Sequence, residues 1–283
     1  MSLSIIFALG SMFCAGVNDL VFKKYVSKAR SKGMYLALIG VVWALIFYTA
    51  SLSSGGLKFD ANTVTYSIIC GIFSISAQIF LLESLHGIDA SIGSTIYRLN
   101  FVIVVILAPI FLRESLTFLK IIGSMLAIGS VLFLSRKNGN QKTDHIYRFS
   151  FLYLVIIASI LRGLMGFFYK VALNHNVDAN TFLFLNPLLW IIGGFIYAVL
   201  FEHNIGISKK ITVYSGISGI LIAGIVLFLL LAVKNGEAIV AVPIAQLSFI
   251  ITSILSVWFL KEKMTLLKAI GIVFAVGTIL CLI

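Results

Sequence analysis

The chain has 283 residues, 60% of them hydrophobic and only 11% charged, with a mean hydropathy of +1.11. That balance excludes a soluble domain, which runs nearer half apolar and a quarter charged. A net charge of +11 would suggest a nucleic-acid partner in a soluble protein. In a chain this apolar it belongs to short loops facing anionic lipid, so the bilayer is the expected partner and nucleic acid is not.

A hydrocarbon core is crossed by about 20 apolar residues of helix. Polar breaks predict ten such spans, and with them an all-α integral membrane protein: 3–22, 34–53, 63–85, 90–112, 117–135, 149–171, 180–201, 211–233, 238–260 and 265–283. The first has no basic leader and runs into Asn18, Asp19 and Lys23 without a small-residue cleavage site, so it is read as a retained span. The third carries Gln78 and Glu83, the fourth Arg98 and Asn100. The polar stretch RKNGNQKTDHIYR (136–148) then divides the chain into units 1–135 and 149–283. Arg162 falls in the sixth span, Trp190 in the seventh and Gln246 in the ninth. Cys14, Cys70 and Cys281 lie in apolar runs without CxxC spacing and read as small core residues.

The two units resemble each other. Shifted by 148, residues 86–134 fall on 234–282 with 19 of 49 pairs identical. FLRESLTFLKIIG (111–123) meets FLKEKMTLLKAIG (259–271), pairing Glu114 with Glu262, Thr117 with Thr265, Lys120 with Lys268 and Gly123 with Gly271. Upstream the shift is 147, and Gly16 meets Gly163, Lys23 meets Lys170 and Trp43 meets Trp190. Five is odd, so the second copy enters the membrane upside down. Inverted repeats of this kind mark secondary transporters, with the substrate near the midplane between the repeats.

Lysine and arginine counts orient the chain. One side holds five such residues in 23–32, four in 136–148, Lys209, Lys210, Lys261, Lys263 and Lys268; the other holds Lys58, Arg113, Lys120, Lys170 and Lys234. The richer side is expected to be cytoplasmic, with both termini outside. A bacterial inner membrane is the expected location.

These features resemble the drug/metabolite transporter superfamily, in its EamA-type branch. The family's L-G-E-x-[LF]-[ST] pattern stands here as Leu112-Arg113-Glu114-Ser115-Leu116-Thr117 and as Leu260-Lys261-Glu262-Lys263-Met264-Thr265, each followed by the matching Gly123 or Gly271. The G-x-N…K ending of the first span appears as Gly16, Asn18 and Lys23. The family often has a proline thirteen residues before each Glu, where this chain has Phe101 and Phe249. The resemblance covers essentially the whole chain. It implies ten helices in two inverted repeats and a metabolite transporter working by alternating access.

Arg98 is the residue that most needs a reason. An arginine at a helix centre costs on the order of 3 kcal/mol on insertion scales, and such residues face a bundle interior or a wet cavity. A structural pair with Glu83 or Asp19 is the bland reading. A cavity lining is the functional one, and the repeat favours it by placing Gln246 at the position of Arg98 and Ser248 at that of Asn100. Arg162 either binds substrate or pairs with an acid. Asp19 is a boundary charge beside Lys23 or a charge partner. Glu83 could neutralise an arginine, take a coupling proton or face the interface. Asn18 and Gln78 could line the path, and Trp190, like Trp43, is mid-span and either packs or lines a cavity. Glu114 and Glu262 read as ion pairs with neighbouring basic residues.

The four histidines sit at span ends or in loops, and there is no HExxH, GxSxG, Walker or Rossmann motif. An enzyme, a cofactor and a metal are therefore not expected. The expected function is gradient-driven transport of a small polar metabolite bearing a carboxylate or phosphate. Arg98, Gln246, Asn100, Arg162, Asn18, Gln78 and Trp190 would bind it, with Glu83 and Asp19 as charge or coupling partners. A flippase for a lipid-linked head group is the rival, followed by a membrane enzyme or assembly partner.

Overall fold

The computed structural model describes residues 2–26, 31–84, 96–135, 145–248, 250–252, 254–255 and 266–282. Ten helices are described: α1 Leu3–Val26, α2 Lys32–Ser53, α3 Ala61–Ser84, α4 Phe101–Leu112, α5 Phe118–Ser135, α6 His145–Asn174, α7 Ala179–Leu200, α8 Lys209–Lys234, α9 Ala238–Gln246 and α10 Leu266–Leu282. Six contain runs of 20 to 26 residues long and apolar enough to cross a membrane, in α1–α3 and α6–α8. At 1.5 Å per residue, 20 residues already reach the thickness of a hydrocarbon core. The shorter apolar helices are α4, α5, α9 and α10, the same positions in each half.

Helix ends are set by local chemistry. Ser31, Asp178 and Ser208 accept from the third backbone N–H of α2, α7 and α8. Glu202 adds to the α2 cap by accepting from Lys32 N at 2.8 Å and Gly33 N at 3.1 Å. The tetrapeptide Asp-Ala-Asn-Thr starts both α3 and α7, and the two starts are tied together. Lys58 N donates to Thr181 Oγ1 at 2.7 Å, and Asp178 N donates to Thr63 Oγ1 at 2.9 Å. The Thr63 hydroxyl and backbone N–H hold the exposed Asp60 carboxyl below the usual carboxylate range. That cap is therefore complete at neutral pH and is lost only on acidification through the lowered value.

The exposed surface is apolar, as a lipid-facing surface should be: Leu45, Ile192, Ile220 and Phe118 are all more than half exposed. Tyr35 OH and Ser218 Oγ, 2.6 Å apart, and Trp190 Nε1 donating to Ser74 Oγ at 3.0 Å, satisfy polar groups between helices instead.

Packing follows an exchange rule. α1 lies along α8 and α3 along α6; α2 also meets α8 and α3 meets α7; α1 meets α9 and α6 meets α4. α2 packs on α7, α5 on α10 and α4 on α9. Each pairing is carried onto another, or onto itself, when α1–α5 are exchanged with α6–α10. This is what two inverted five-helix repeats about a pseudo-twofold axis require.

The fourth and ninth spans depart from the single helices expected at 90–112 and 238–260. A helical turn at 96–98 is separated from α4 by Leu99–Asn100, and α9 is separated from a turn at 250–252 by Leu247–Ser248. Residues 85–95 and 256–265 lie outside the described residues. At both breaks the hydrogen bonds tighten: Leu99 N to Ile96 O and Val102 N to Leu99 O in one half, Leu247 N to Ile244 O and Ile250 N to Leu247 O in the other. The four pairs are equivalent under the 148 shift. The sixth span also starts earlier than expected, since α6 begins at His145 within the stretch read as linker. Residues 136–144 lie outside the described residues.

Candidate functional site

Two glycines bring the breaks together. Gly16 of α1 packs on the chain after α9, where an added Cβ would stand 2.7 Å from Ser248 O and collide with Ile251. Gly163 of α6 packs on the start of α4, where a Cβ would collide with Asn100 O and stand 2.6 Å from Ile103 Cβ. Gly16 and Gly163 are repeat partners, as are Ser248 and Asn100, and Ile251 and Ile103. Only glycine permits this approach of backbone to backbone.

The breaks then meet at their side chains. Arg98 Nη1 donates to Ser248 Oγ at 2.5 Å, and Asn100 Nδ2 donates to Gln246 Oε1 at 3.2 Å. The exchange of halves turns one of these contacts into the other. Asn100 and Ser248 are each 1% exposed, and Asn100 also donates to Tyr97 O at 2.7 Å.

Charge breaks the symmetry. Arg98 Nη2 is paired with Asp19 Oδ2, and Asp19 lies within α1. Of the two expectations for Asp19, the pair realises the charge partner; α1 runs on to Val26, while its apolar span ends at Phe22, one turn beyond Asp19. The Arg98 side chain is 15% exposed and that of Asp19 34%, so the pair is accessible from the Asp19 side. Thr252 Oγ1 reaches Asp19 Oδ2 at 3.0 Å, and lies 3.1 Å from Gly16 O and 3.2 Å from Ser248 O. The repeat partner of Asp19 is Gly166, so nothing matches this carboxylate in the second half.

Arg162 projects from α6 one residue before Gly163. It is half-buried, and Nη1 touches Met165 Sδ at 3.3 Å. Among the described residues it meets no carboxylate. Both Arg162 and Arg98 lie within electrostatic range of the Tyr97 hydroxyl. Asn18, beside Asp19, keeps its Oδ1 sealed from solvent with no donor among the described residues.

Trp190 is 4% exposed, bonded to Ser74 and edge-on to Trp43 at 5.8 Å, which is a packing role. Gln78 and Glu83 are half-buried on α3. Cys70 is buried, whereas Cys14 and Cys281 are only partly so. Among the described residues Glu114 forms no ion pair; its carboxylate accepts from Ala238 N at 2.8 Å and Ile239 N at 2.9 Å, capping α9. The ion pair beside it is Lys120–Glu237. Glu262 lies outside the described residues. Thr252 escaped sequence reading because its repeat partner is the apolar Val104.

Broken helices that cross at a polar, charged point inside an inverted-repeat bundle define a class of protein, the membrane carriers. The chain belongs to the EamA-like transporter family, which matches it over residues 2–136 and again over 150–283. It is 31% identical over 129 residues to the uncharacterized protein MJ1333.1 of Methanocaldococcus jannaschii, a match covering 46% of this chain and 93% of that one. A solved crystal structure described only as that of a protein superposes with a TM-score of 0.83 at 13% identity, covering 98% of this chain and 95% of the other, and so shares the fold.

Proposed function

We propose that the protein is a gradient-driven transporter of a small polar anion, bearing a carboxylate or phosphate, which binds where the two broken helices cross. The observation that carries this is Arg162. A guanidinium held in a membrane-spanning helix, with a thioether and no carboxylate against it among the described residues, is costly unless something anionic completes it. Its planar fork suits a carboxylate or phosphate in two hydrogen bonds. Arg98, across the same crossing, supplies a second fork, and Asn100, Gln246 and Asn18 supply neutral polar groups for the rest of the solute. Alternating access would rock the two repeats about this crossing, where the Gly16 and Gly163 contacts form the pivots.

The proposed setting is a bacterial inner membrane with both termini outside, from the fourteen-to-five split of Lys and Arg between the sides. Alkaline phosphatase fused after the last residue should then be exported and active; an inactive fusion reverses the orientation. The transport reading is tested by counterflow in proteoliposomes across a panel of carboxylates and phosphate esters, each beside a neutral analogue. Accumulation of an anion but not of its neutral analogue is expected. Accumulation of cations or neutral solutes alone contradicts the reading.

A further inference from the structure

We infer that Asp19 is the proton-coupling group, so that each anion enters the site together with one proton. This rests on the anion-site reading above. The fork of Arg98 is held at both ends, Nη1 on Ser248 and Nη2 on Asp19. An anion that takes both ends must displace the Asp19 carboxylate, and it arrives from the more exposed Asp19 side. A displaced carboxylate inside the bundle has lost its counter-charge, and protonation removes the cost of leaving it unpaired.

Thr252 makes both forms of Asp19 tolerable. Toward the carboxylate its hydroxyl donates. Toward the carboxylic acid it accepts, because its own proton can turn to Gly16 O or Ser248 O, both within 3.2 Å. One O–H bond forms on the Asp19 carboxyl, with the proton taken from water on the side the site faces, and the Arg98–Asp19 contact is replaced by Arg98–anion. Two guanidiniums and one carboxylate give the empty site a charge of +1. Two guanidiniums, a neutral acid and a monoanion give the loaded site +1 as well, so loading does not change the charge the bundle must carry across the membrane.

Among the described residues, the turn before α4 presents Arg98 and Tyr97 to this region, the chain after α9 presents the hydroxyls of Ser248 and Thr252, and α6 presents Arg162. α8, which lies along α1, has no charged residue between Lys210 and Lys234, and its Tyr214 ring lies tilted against Tyr25, nearer the end of α1. On α1 itself Lys23 and Lys24 follow one turn later. None of the non-carboxyl groups offers a second site for a proton taken up near neutrality.

The test is calorimetric titration of the purified protein with benzenesulfonate and methanesulfonate, which stay anionic at every pH used, in buffers of different ionisation enthalpy. About one proton should be taken up per sulfonate bound at mildly alkaline pH. Affinity should rise about tenfold per unit fall in pH while Asp19 starts ionised. Asp19→Asn should bind at least as tightly, with proton uptake and pH dependence both gone. Binding without proton uptake in the wild type overturns the inference but spares the anion site, since the anion then sits on Arg162 with the Asp19 pair intact. Failure of every sulfonate to bind overturns the anion site itself. If Asp19→Asn does not fold, infrared spectra of the wild type decide: a protonated-carboxyl band must appear on binding, and its absence refutes the inference.

Discussion

Asp19 and Arg98 hold each other in place, but they are not equal partners. Removing Arg98 leaves a carboxylate inside the bundle with one hydroxyl for company, whereas Asp19→Asn leaves a guanidinium that can still bond Ser248. Breaking a fully buried pair costs about 3–5 kcal/mol, and the partial exposure of Asp19 brings that down to about 1–2 kcal/mol. Arg98→Gln should therefore lower thermal stability more than Asp19→Asn. The double variant should be less destabilised than the two singles added together, by about 1 kcal/mol, in a cycle read by thermal unfolding. Additive losses would mean that the pair is not coupled. At this scale the sequence was half legible. Arg98, Asn100, Gln246 and Ser248 were found together because duplication aligns them. Asp19 stood beside Glu83 as a candidate partner of Arg98, and only the fold brings its carboxylate to the guanidinium. Thr252 carried no warning at all, because single-copy residues gain nothing from symmetry.

The helices show where local patterns suffice and where packing overrides them. All ten expected spans can be read from apolar runs and polar breaks, but the breaks at Leu99–Asn100 and Leu247–Ser248 are invisible to hydropathy. No proline marks them; Pro109 and Pro243 lie inside α4 and α9 instead. What marks them is Gly16 and Gly163, whose missing side chains let α1 and α6 press on Ser248 O and Asn100 O. Gly163→Ala should accordingly cost about 1–3 kcal/mol through overpacking against Asn100 and Ile103. Gly216→Ala, in α8 with nothing within 4 Å of the added methyl, should be neutral or stabilising by up to about 1 kcal/mol. Thermal melts of both variants in detergent check the contrast. Equal effects at the two glycines would remove the close-approach argument.

Across the whole molecule, symmetry builds the frame and asymmetry supplies the chemistry. The exchange rule governs every main helix pairing and even the two hydrogen bonds at the crossing. The charged residues at the crossing obey no such rule: Arg98 is matched by Gln246, Arg162 by Ala15 and Asp19 by Gly166. A duplicated five-helix unit is therefore readable from sequence as an architecture, while its specificity lies in the positions where the copies have diverged. Arg162 is the most telling of these, being the guanidinium at the crossing with no carboxylate described against it. Counterflow of a transported anion into proteoliposomes containing Arg162→Gln tests this most directly. Among the described residues the variant loses no ion pair, and it should fold as the wild type does. Its apparent affinity should fall roughly ten- to hundredfold, the worth of a charge-assisted contact, while any residual uptake of neutral analogues stays the same. Anion uptake in Arg162→Gln that matches the wild type in affinity and rate would contradict the account.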